Sequence, residues 1–244
     1  MLSRVRAYER VLRRAWLDRL RCQVLRQRRA RSAWYRLDQK PRTFIEQVIG
    51  RLHTVVRPGP QCVGAEYWMR AQPADTGFPL HFDRDEAIRA SVSSPRLASI
   101  LYLSDVGGPT VILDALPTSG TPPRRGLAVS PRRGRYVVFP GGLLHGARPG
   151  DPSRWPRVAF FVNWWDQKPA GASERASLAL RRLSPPLRGA GPRHFKPADE
   201  GAGTGSEEAS GRGPGSLRGC SAGAPASRAP AARRRRPARR TRFP

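Results

Sequence analysis

From residue 62 onward the chain consists of short apolar segments separated by breaks rich in glycine and proline. Segments of this length between turn residues are typical of β-strands, and several of them in succession indicate a sandwich or a barrel. The sequence therefore predicts a mainly β domain. The predicted strands are Val63–Met69, Leu97–Leu103, Thr110–Leu113, Arg135–Phe139 and Val158–Trp164.

The N-terminal residues 1–32 predict a basic amphipathic helix, with the helical pattern itself over residues 1–30. Apolar residues recur there at spacings of three and four, and arginines occupy the other faces. Such a helix either docks on an anionic membrane surface or a partner, or packs on the domain that follows, which is the favoured interpretation. The apolar stripe consists of Val5, Tyr8, Leu12, Trp16, Leu20 and Val24. A second helix is predicted over Thr43–Leu52 and ends before the Pro58-Gly59-Pro60 turn signal.

The C-terminal residues 170–244 predict a disordered tail rich in arginine, glycine and proline. Large apolar residues nearly vanish after Leu187, so this segment cannot bury enough surface to offset the entropy of ordering it. The basic cluster Arg233–Arg242 is a candidate nuclear signal or phosphate-binding arm. A solvated charge run without a specific role is the favoured interpretation.

The formal net charge of +27 is concentrated at the two ends of the chain. Residues 1–32 hold eleven arginines against two acidic residues, and residues 170–244 hold sixteen basic against five acidic residues. This pattern allows a weak anionic partner, such as a nucleic acid, for the basic ends. Only three of the 45 basic residues are lysines, which a GC-rich coding sequence also produces without selection for a basic surface.

The compartment is predicted to be intracellular and reducing, because the three cysteines, Cys22, Cys62 and Cys220, are odd in number and far apart. The sequence contains no apolar run of 18 residues and no secretory signal pattern. A cytoplasmic or nuclear location is therefore expected, and an organelle stays open.

The chemistry is predicted to lie with two of the four histidines. His81 and Asp83 are two residues apart, so on a strand they project from the same face. His145 follows an apolar strand and a glycine pair, far enough along the chain for a sandwich to return it to the same end. Two histidines and one carboxylate form the facial triad that suits Fe(II). The alternative for His81 and Asp83 is a simple hydrogen-bonded pair at a strand end.

One arginine stands out because it opens the last strong strand. Arg157 follows His145 by twelve residues, and an arginine fork at a strand start can bind a carboxylate bidentately. Arg154 is a competing candidate, but it precedes Trp155-Pro156 and is expected in a loop. The alternative for both residues is an ordinary surface arginine.

Together these motifs resemble the iron(II)- and 2-oxoglutarate-dependent oxygenases, in particular the prolyl-hydroxylase-like members. The resemblance covers about residues 62–166 and takes in the HxD motif, a GGPT segment, the run from Gly134 to Pro149 and the closing strand RVAFFVNWW. It implies a double-stranded β-helix, or jelly roll, with N-terminal supporting helices. The predicted oxygenase domain is residues 33–169.

The resemblance implies that His81, Asp83 and His145 bind iron and act as the catalytic centre. It implies that Arg157 pairs with the 5-carboxylate of 2-oxoglutarate, and that O₂ is consumed, with ascorbate as a candidate reductant. The implied function is a hydroxylase that couples decarboxylation of 2-oxoglutarate to oxidation of a substrate C–H bond. Tyr67 is a candidate contact of the co-substrate, although a core position is favoured.

The substrate stays open between a protein side chain and a small molecule. If the loop arginines face the site opening, they favour an acidic substrate; these are Arg124, Arg125, Arg132, Arg133 and Arg148. Two other functions remain as alternatives: a non-catalytic jelly-roll binding domain, and a basic protein associated with nucleic acid through its ends.

Overall fold

A computed structural model describes residues 2–26, 32–85, 87–88, 93–118, 120 and 122–172. Within these ranges ten strands form two antiparallel sheets, accompanied by two α-helices. The helices are α1 (Arg14–Arg26) and α2 (Phe44–Val56). The larger sheet contains, in spatial order, β1 (Arg6–Tyr8), β8 (Tyr136–Pro140), β5 (Leu97–Tyr102), β10 (Arg157–Trp165), β3 (Gly64–Gln72) and β2 (Ala33–Arg36). The smaller sheet contains β4 (Phe78–His81), β9 (His145–Ala147), β6 (Thr110–Leu113) and β7 (Gly126–Val129).

The order of the strands is that of a jelly roll. From β3 to β10 the chain passes from one sheet to the other at each connection except the β6–β7 hairpin, and sequential strands therefore seldom pair. Strands β8, β5, β10 and β3 face the four strands of the smaller sheet across an apolar layer that includes Ile100, Ile112 and Phe139. The predicted fold class, a mainly β jelly roll with N-terminal helices, is confirmed.

The five predicted strands all coincide with observed strands, and their bounds agree within three residues. A strand at β4 was considered only for His81 and Asp83, and the short strands β2, β7 and β9 were not predicted. Segments of three or four residues seldom carry a recognisable apolar periodicity. Strand β7 is mostly exposed, so its composition gives no burial signal at all.

The N-terminal segment differs from the single helix predicted over residues 1–30. A strand, β1, pairs with β8, and α1 begins only at Arg14. Arg10 between them has φ of 55°, which ends any continuous helix there. The spacing of the apolar residues fits a continuous helix as well as a strand followed by a helix. The strand forms because the edge of β8 is available for pairing with β1.

Helix α1 packs on the domain, as the favoured interpretation predicts. Leu17, Leu20 and Val24 are buried against the outer face of the larger sheet, together with residues of β3 and β10. Burying each such side chain contributes about 1.5–3 kcal/mol. The apolar stripe is thus covered by the protein itself. No helix in the described parts of the chain is long and apolar enough to cross a membrane.

The second predicted helix is confirmed and extends to Val56. Thr43 caps it: its hydroxyl accepts from the Glu46 amide, and the Glu46 carboxylate accepts from the Thr43 amide. The helix ends at Arg57, whose left-handed backbone has φ of 47°. The predicted tail falls almost wholly on residues 173–244, which lie outside the described residues, and the predicted domain boundaries stay a prediction.

Successive side chains of β10 point to opposite faces of the larger sheet. One face contributes to the core under the helices, and the other faces the cavity between the sheets. Val158, Phe160 and Val162 point to the helices, while Arg157 and Ala159 point to the smaller sheet. Tyr67 belongs to the helix side, where its ring centroid lies 6.0 Å from that of Phe160. Tyr67 is therefore a core residue and does not line the cavity between the sheets.

Candidate metal and co-substrate site

Two antiparallel strands bring the two histidines together. His81 on β4 and His145 on β9 are paired residues, and their ring centroids lie 4.4 Å apart. In each ring Nδ1 faces a backbone carbonyl, that of Pro79 at 3.0 Å and that of Leu143 at 2.8 Å. Since a carbonyl only accepts hydrogen bonds, the proton of each neutral ring is held on Nδ1. Both Nε2 atoms are left with a free lone pair, as metal ligation requires.

Asp83 completes the cluster from the loop after β4. The prediction placed His81 and Asp83 on one strand, but the strand ends at His81. The Asp83 carboxylate still reaches both rings, with Oδ1 3.4 Å from His81 Nε2 and Oδ2 3.6 Å from His145 Nε2. These distances exceed those of well-formed hydrogen bonds, which are about 2.7–3.2 Å. Ligand atoms that each lie about 2.1 Å from one ion are separated by about 3–3.5 Å. The two carboxylate–imidazole distances are close to this spacing, and the three candidate ligand atoms all lie within 4.8 Å of one another.

The loop that carries Asp83 is anchored by a second acidic residue. The buried carboxylate of Asp85 accepts hydrogen bonds from the backbone amides of Ala87, Ala170 and Gly171. Chain segments far apart in sequence are thus tied to the loop, which holds Asp83 in place although it lies outside any strand.

The electrostatics of the cluster favour metal-binding protonation states at two of its three members. Burial dominates at His145 and lowers its pKa, so the ring is neutral at neutral pH. Burial opposes ionisation of Asp83, but contacts with His81, His145 and Asn163 outweigh it, so the pKa of Asp83 is lowered. Burial also disfavours the charged form of His81, yet the Asp83 contact raises its pKa on balance. A cation at this position would displace the His81 proton.

Asn163 contacts the candidate cluster, although its sequence context did not single it out. It is buried on the inner face of β10, and its Nδ2 donates to Asp83 Oδ2 at 3.0 Å. The hydrogen bond orients the carboxylate toward the histidines. The available signal was a lone amide within the apolar strand RVAFFVNWW, where an unpaired polar side chain would be costly.

Replacing Asn163 by leucine is expected to weaken binding of Mn(II) or Co(II) about 10- to 100-fold. The carboxylate of Asp83 loses the donor that aims it, while the volume of the side chain is nearly kept. Calorimetric titration of the purified variant measures the effect. Ser104→Ala is the matched control, because it removes a buried hydrogen bond to the Val158 amide elsewhere on the sheet. Equal metal affinity in both variants would contradict the orienting role.

Arg157 lies in the cavity between the sheets, with 5% of its surface exposed. Its Nη2 donates to the Thr110 hydroxyl at 2.9 Å, and that hydroxyl also accepts from the Tyr102 hydroxyl at 2.6 Å. Nη1 is buried and has no hydrogen-bond acceptor among the described residues. Burial lowers the pKa of Arg157. A buried guanidinium with a spare donor is costly by itself and fits a ligand carboxylate.

Arg154, the competing candidate, lies on an exposed loop. Its guanidinium carbon sits 5.1 Å from the centre of the Trp155 ring, and the residue is not among those that line the cavity. Of the two arginines, the structure places only Arg157 beside the histidines.

The GGPT segment makes room for Arg157. Gly107 has φ of 103°, and a Cβ there would lie 2.8 Å from Arg157 Cδ. A Cβ on Gly108 would lie 2.1 Å from the backbone oxygen of Arg148. Thr110, two residues on, supplies the hydroxyl that holds Nη2. The two glycines thus let neighbouring segments approach, and the threonine positions the guanidinium.

If Arg157 binds 2-oxoglutarate, as the sequence resemblance implies, Gly107→Ala is expected to weaken that binding by about tenfold or more, because the new methyl group displaces the Arg157 side chain. Calorimetry on Mn(II)-loaded protein measures the affinity. Gly120→Ala is the matched control, since Gly120 also has a positive φ, 59°, but nothing within 4 Å of an added Cβ. An equal loss in both variants would mean that backbone strain, and not contact with Arg157, is responsible.

The histidines and Arg157 line one cavity of about 160 Å³. Its walls are mostly apolar and aromatic, with Trp68 and Phe161 stacked at 5.3 Å between ring centroids. A mostly apolar cavity with a few converging polar groups is the usual form of a small-molecule site.

The loop arginines proposed to face the opening do not line this cavity; these are Arg124, Arg125, Arg132, Arg133 and Arg148. Arg125 pairs with Asp114, and Arg133 pairs with Asp18 of α1. The structure therefore gives these side chains no direct contact with the cavity.

Fold and site together define a jelly-roll protein with a facial His-Asp-His cluster beside a buried arginine. The chain is similar to solved structures of this architecture. A prolyl-4-hydroxylase from Pseudomonas putida is 17% identical, covering 68% of this chain and 96% of that chain with a TM-score of 0.48. HygX from Streptomyces hygroscopicus, solved with nickel and 2-oxoglutarate, is 16% identical, covering 70% and 84%, with a TM-score of 0.48.

A prolyl hydroxylase from Trichoplax adhaerens, in complex with a hypoxia inducible factor peptide fragment, is 14% identical, covering 68% of this chain and 86% of that chain with a TM-score of 0.45. No protein-family model matches the chain, and no curated protein matches it.

Proposed function

We propose that the protein is an Fe(II)- and 2-oxoglutarate-dependent dioxygenase that hydroxylates its substrate. The observation that carries the proposal is the buried Arg157, whose Nη1 has no acceptor among the described residues. It lies in the cavity that His81 and His145 also line, and the Asp83 carboxylate lies 3.4 Å and 3.6 Å from their Nε2 atoms. Three protein ligands on one side of a cation leave positions for a chelating co-substrate and O₂.

In this proposal His81, Asp83 and His145 hold Fe(II), and Arg157 with Thr110 binds the far carboxylate of 2-oxoglutarate. Iron, 2-oxoglutarate and O₂ together would supply oxidation of a substrate C–H bond, coupled to decarboxylation to succinate and CO₂. The chain's own contribution is placement. The Pro79 and Leu143 carbonyls hold the imidazoles in the ligating tautomer, and Asn163 aims Asp83. Trp68, Ile100 and Phe161 line the cavity and would limit the access of water once the co-substrate is bound.

The direct test is binding of 2-oxoglutarate and its turnover. Purified full-length protein with Fe(II), 2-oxoglutarate, O₂ and ascorbate is expected to form succinate slowly without substrate, and a metal chelator should abolish the signal. Anaerobic titration of Mn(II)-loaded protein with 2-oxoglutarate does not depend on the substrate. Metal-dependent binding of 2-oxoglutarate supports the proposal. Metal binding without 2-oxoglutarate binding would instead favour the non-catalytic jelly-roll domain.

A further inference from the structure

A second arginine lies in the same cavity. Arg70 on β3 is half-buried, and its guanidinium carbon is 4.1 Å from the centre of the Phe78 ring and 5.9 Å from that of Phe161. Within the described part of the chain it has no hydrogen-bond or ion-pair partner. Contacts with two aromatic rings hold the guanidinium in place but leave its N–H donors unused.

Among the described residues the cavity therefore carries two guanidinium groups and no carboxylate that lines it. Burial, and then the positive charge of Arg157, lower the pKa of Arg70. Asp83, the carboxylate of the metal cluster, faces the two histidines and Asn163 instead. Because two like charges in a partly desolvated cavity repel each other, an anionic ligand would be bound favourably at Arg70.

The position of Arg70 separates it from the proposed co-substrate contacts. In the antiparallel β3–β10 pair Arg70 lies opposite Ala159, whereas Arg157 lies opposite Gln72. The two arginines are thus offset by two residues, or about 7 Å along the strands. If one carboxylate of 2-oxoglutarate binds Arg157 and its keto-acid end binds the metal, both of its charged ends are satisfied. Arg70 then remains for another anion.

We propose that Arg70 is a specificity-determining residue that binds a carboxylate of the substrate. The proposal rests on the proposed function, since it assigns 2-oxoglutarate to Arg157 and the metal. It identifies the substrate class as a carboxylic acid, either an acidic side chain of a polypeptide or a small organic acid. The Arg70 guanidinium stacks on the Phe78 ring, and that ring lies 4.9 Å from the His81 ring. A carboxylate bound to Arg70 would therefore place its adjoining carbons beside His81.

The test uses probes that differ only in charge. Full-length protein loaded with Mn(II) and 2-oxoglutarate, without O₂, is titrated with N-acetyl-aspartate N-methylamide and with the matching asparagine compound. A second pair, butyrate and butyramide, represents small acids. Paramagnetic broadening of the probe methyl signals in NMR spectra reports binding near the metal. We expect the carboxylate of at least one pair to bind about tenfold or more tightly than its amide.

Arg70→Gln is expected to abolish this preference, and Arg70→Lys to retain part of it. Arg154→Gln, which alters an exposed arginine outside the cavity, should leave the preference intact. The pair that shows the preference identifies the source as a polypeptide side chain or a small acid. Equal binding of carboxylate and amide in both pairs would overturn the proposal, as would a preference that survives Arg70→Gln in a variant with unchanged melting temperature.

The affinity for 2-oxoglutarate, measured on the same samples, distinguishes the two proposals. A loss in Arg70→Gln as large as that in an Arg157 variant would assign Arg70 to the co-substrate and overturn the assignment to substrate. Failure of the wild-type protein to bind Mn(II) or 2-oxoglutarate would instead contradict the proposed function itself.

Discussion

Asp83→Ala is expected to reduce affinity for Mn(II) or Fe(II) by more than about 100-fold and to abolish succinate formation. Two neutral imidazoles remain after the substitution, and the negative charge that attracts and compensates a divalent cation is lost. Anaerobic calorimetric titration measures metal affinity, and succinate release measures turnover.

Asp83→Asn separates charge from shape, because the amide keeps the size of the carboxylate. It should lose most of the metal affinity as well, since an uncharged oxygen is a weaker ligand for the cation. Asp114→Asn is the matched control: Asp114 is a carboxylate that pairs with Arg125 on a surface loop, away from the cavity. Metal affinity in Asp83→Ala equal to that of the control would remove the assigned ligand set.

Arg157→Met is expected to reduce the affinity for 2-oxoglutarate by about 2–5 kcal/mol while leaving metal affinity within a few-fold of wild type. The variant removes the guanidinium N–H groups that can bind the far carboxylate, and it leaves the three candidate metal ligands unchanged. Arg157→Lys should recover little, because an ammonium is a point charge and lacks the planar fork. Titration of Mn(II)-loaded protein with 2-oxoglutarate measures the loss.

The same variant carries a second expectation, on stability. Because Arg157 Nη1 has no acceptor among the described residues, its burial destabilises the protein in the absence of ligand. The melting temperature of Arg157→Met without 2-oxoglutarate should equal or exceed that of the wild type, and added 2-oxoglutarate should stabilise only the wild type. Arg154→Gln serves as control for both measurements. Unchanged 2-oxoglutarate affinity in Arg157→Met would contradict the assigned role.

Much of the fold could be predicted because its long strands are locally encoded. Strand β10 is nearly continuous in apolar residues, and it pairs on both sides with β3 and β5, which were also predicted. The short strand β9, with the sequence His-Gly-Ala, could not be predicted, since its existence depends on partners in β4 and β6. Strand β1 was mistaken for helix for the same reason, because its pairing with β8 spans most of the described chain.

The sequence predicted the types of side chain that form the site, but it identified only some of the residues. The three metal-ligand candidates and Arg157 were chosen from residue type and order; the structure groups His81, Asp83 and His145, and the two histidines line one cavity with Arg157. Asn163 and Arg70 were missed, because an amide in an apolar strand and one arginine among many have no distinctive local pattern. Only the tertiary structure shows that Asn163 contacts Asp83 and that Arg70 lines the cavity.

By itself the sequence determined the side-chain chemistry, two imidazoles, a carboxylate and a guanidinium, and the succession of apolar strands that could assemble it. These are local properties, set by residue type and by the two-residue period of a strand. Only the tertiary structure decided which arginine lies in the cavity, that the loop arginines do not, and that Arg70 lies there without a carboxylate partner in the described part of the chain. Those facts depend on strand pairing between residues far apart in the chain, which no local pattern records.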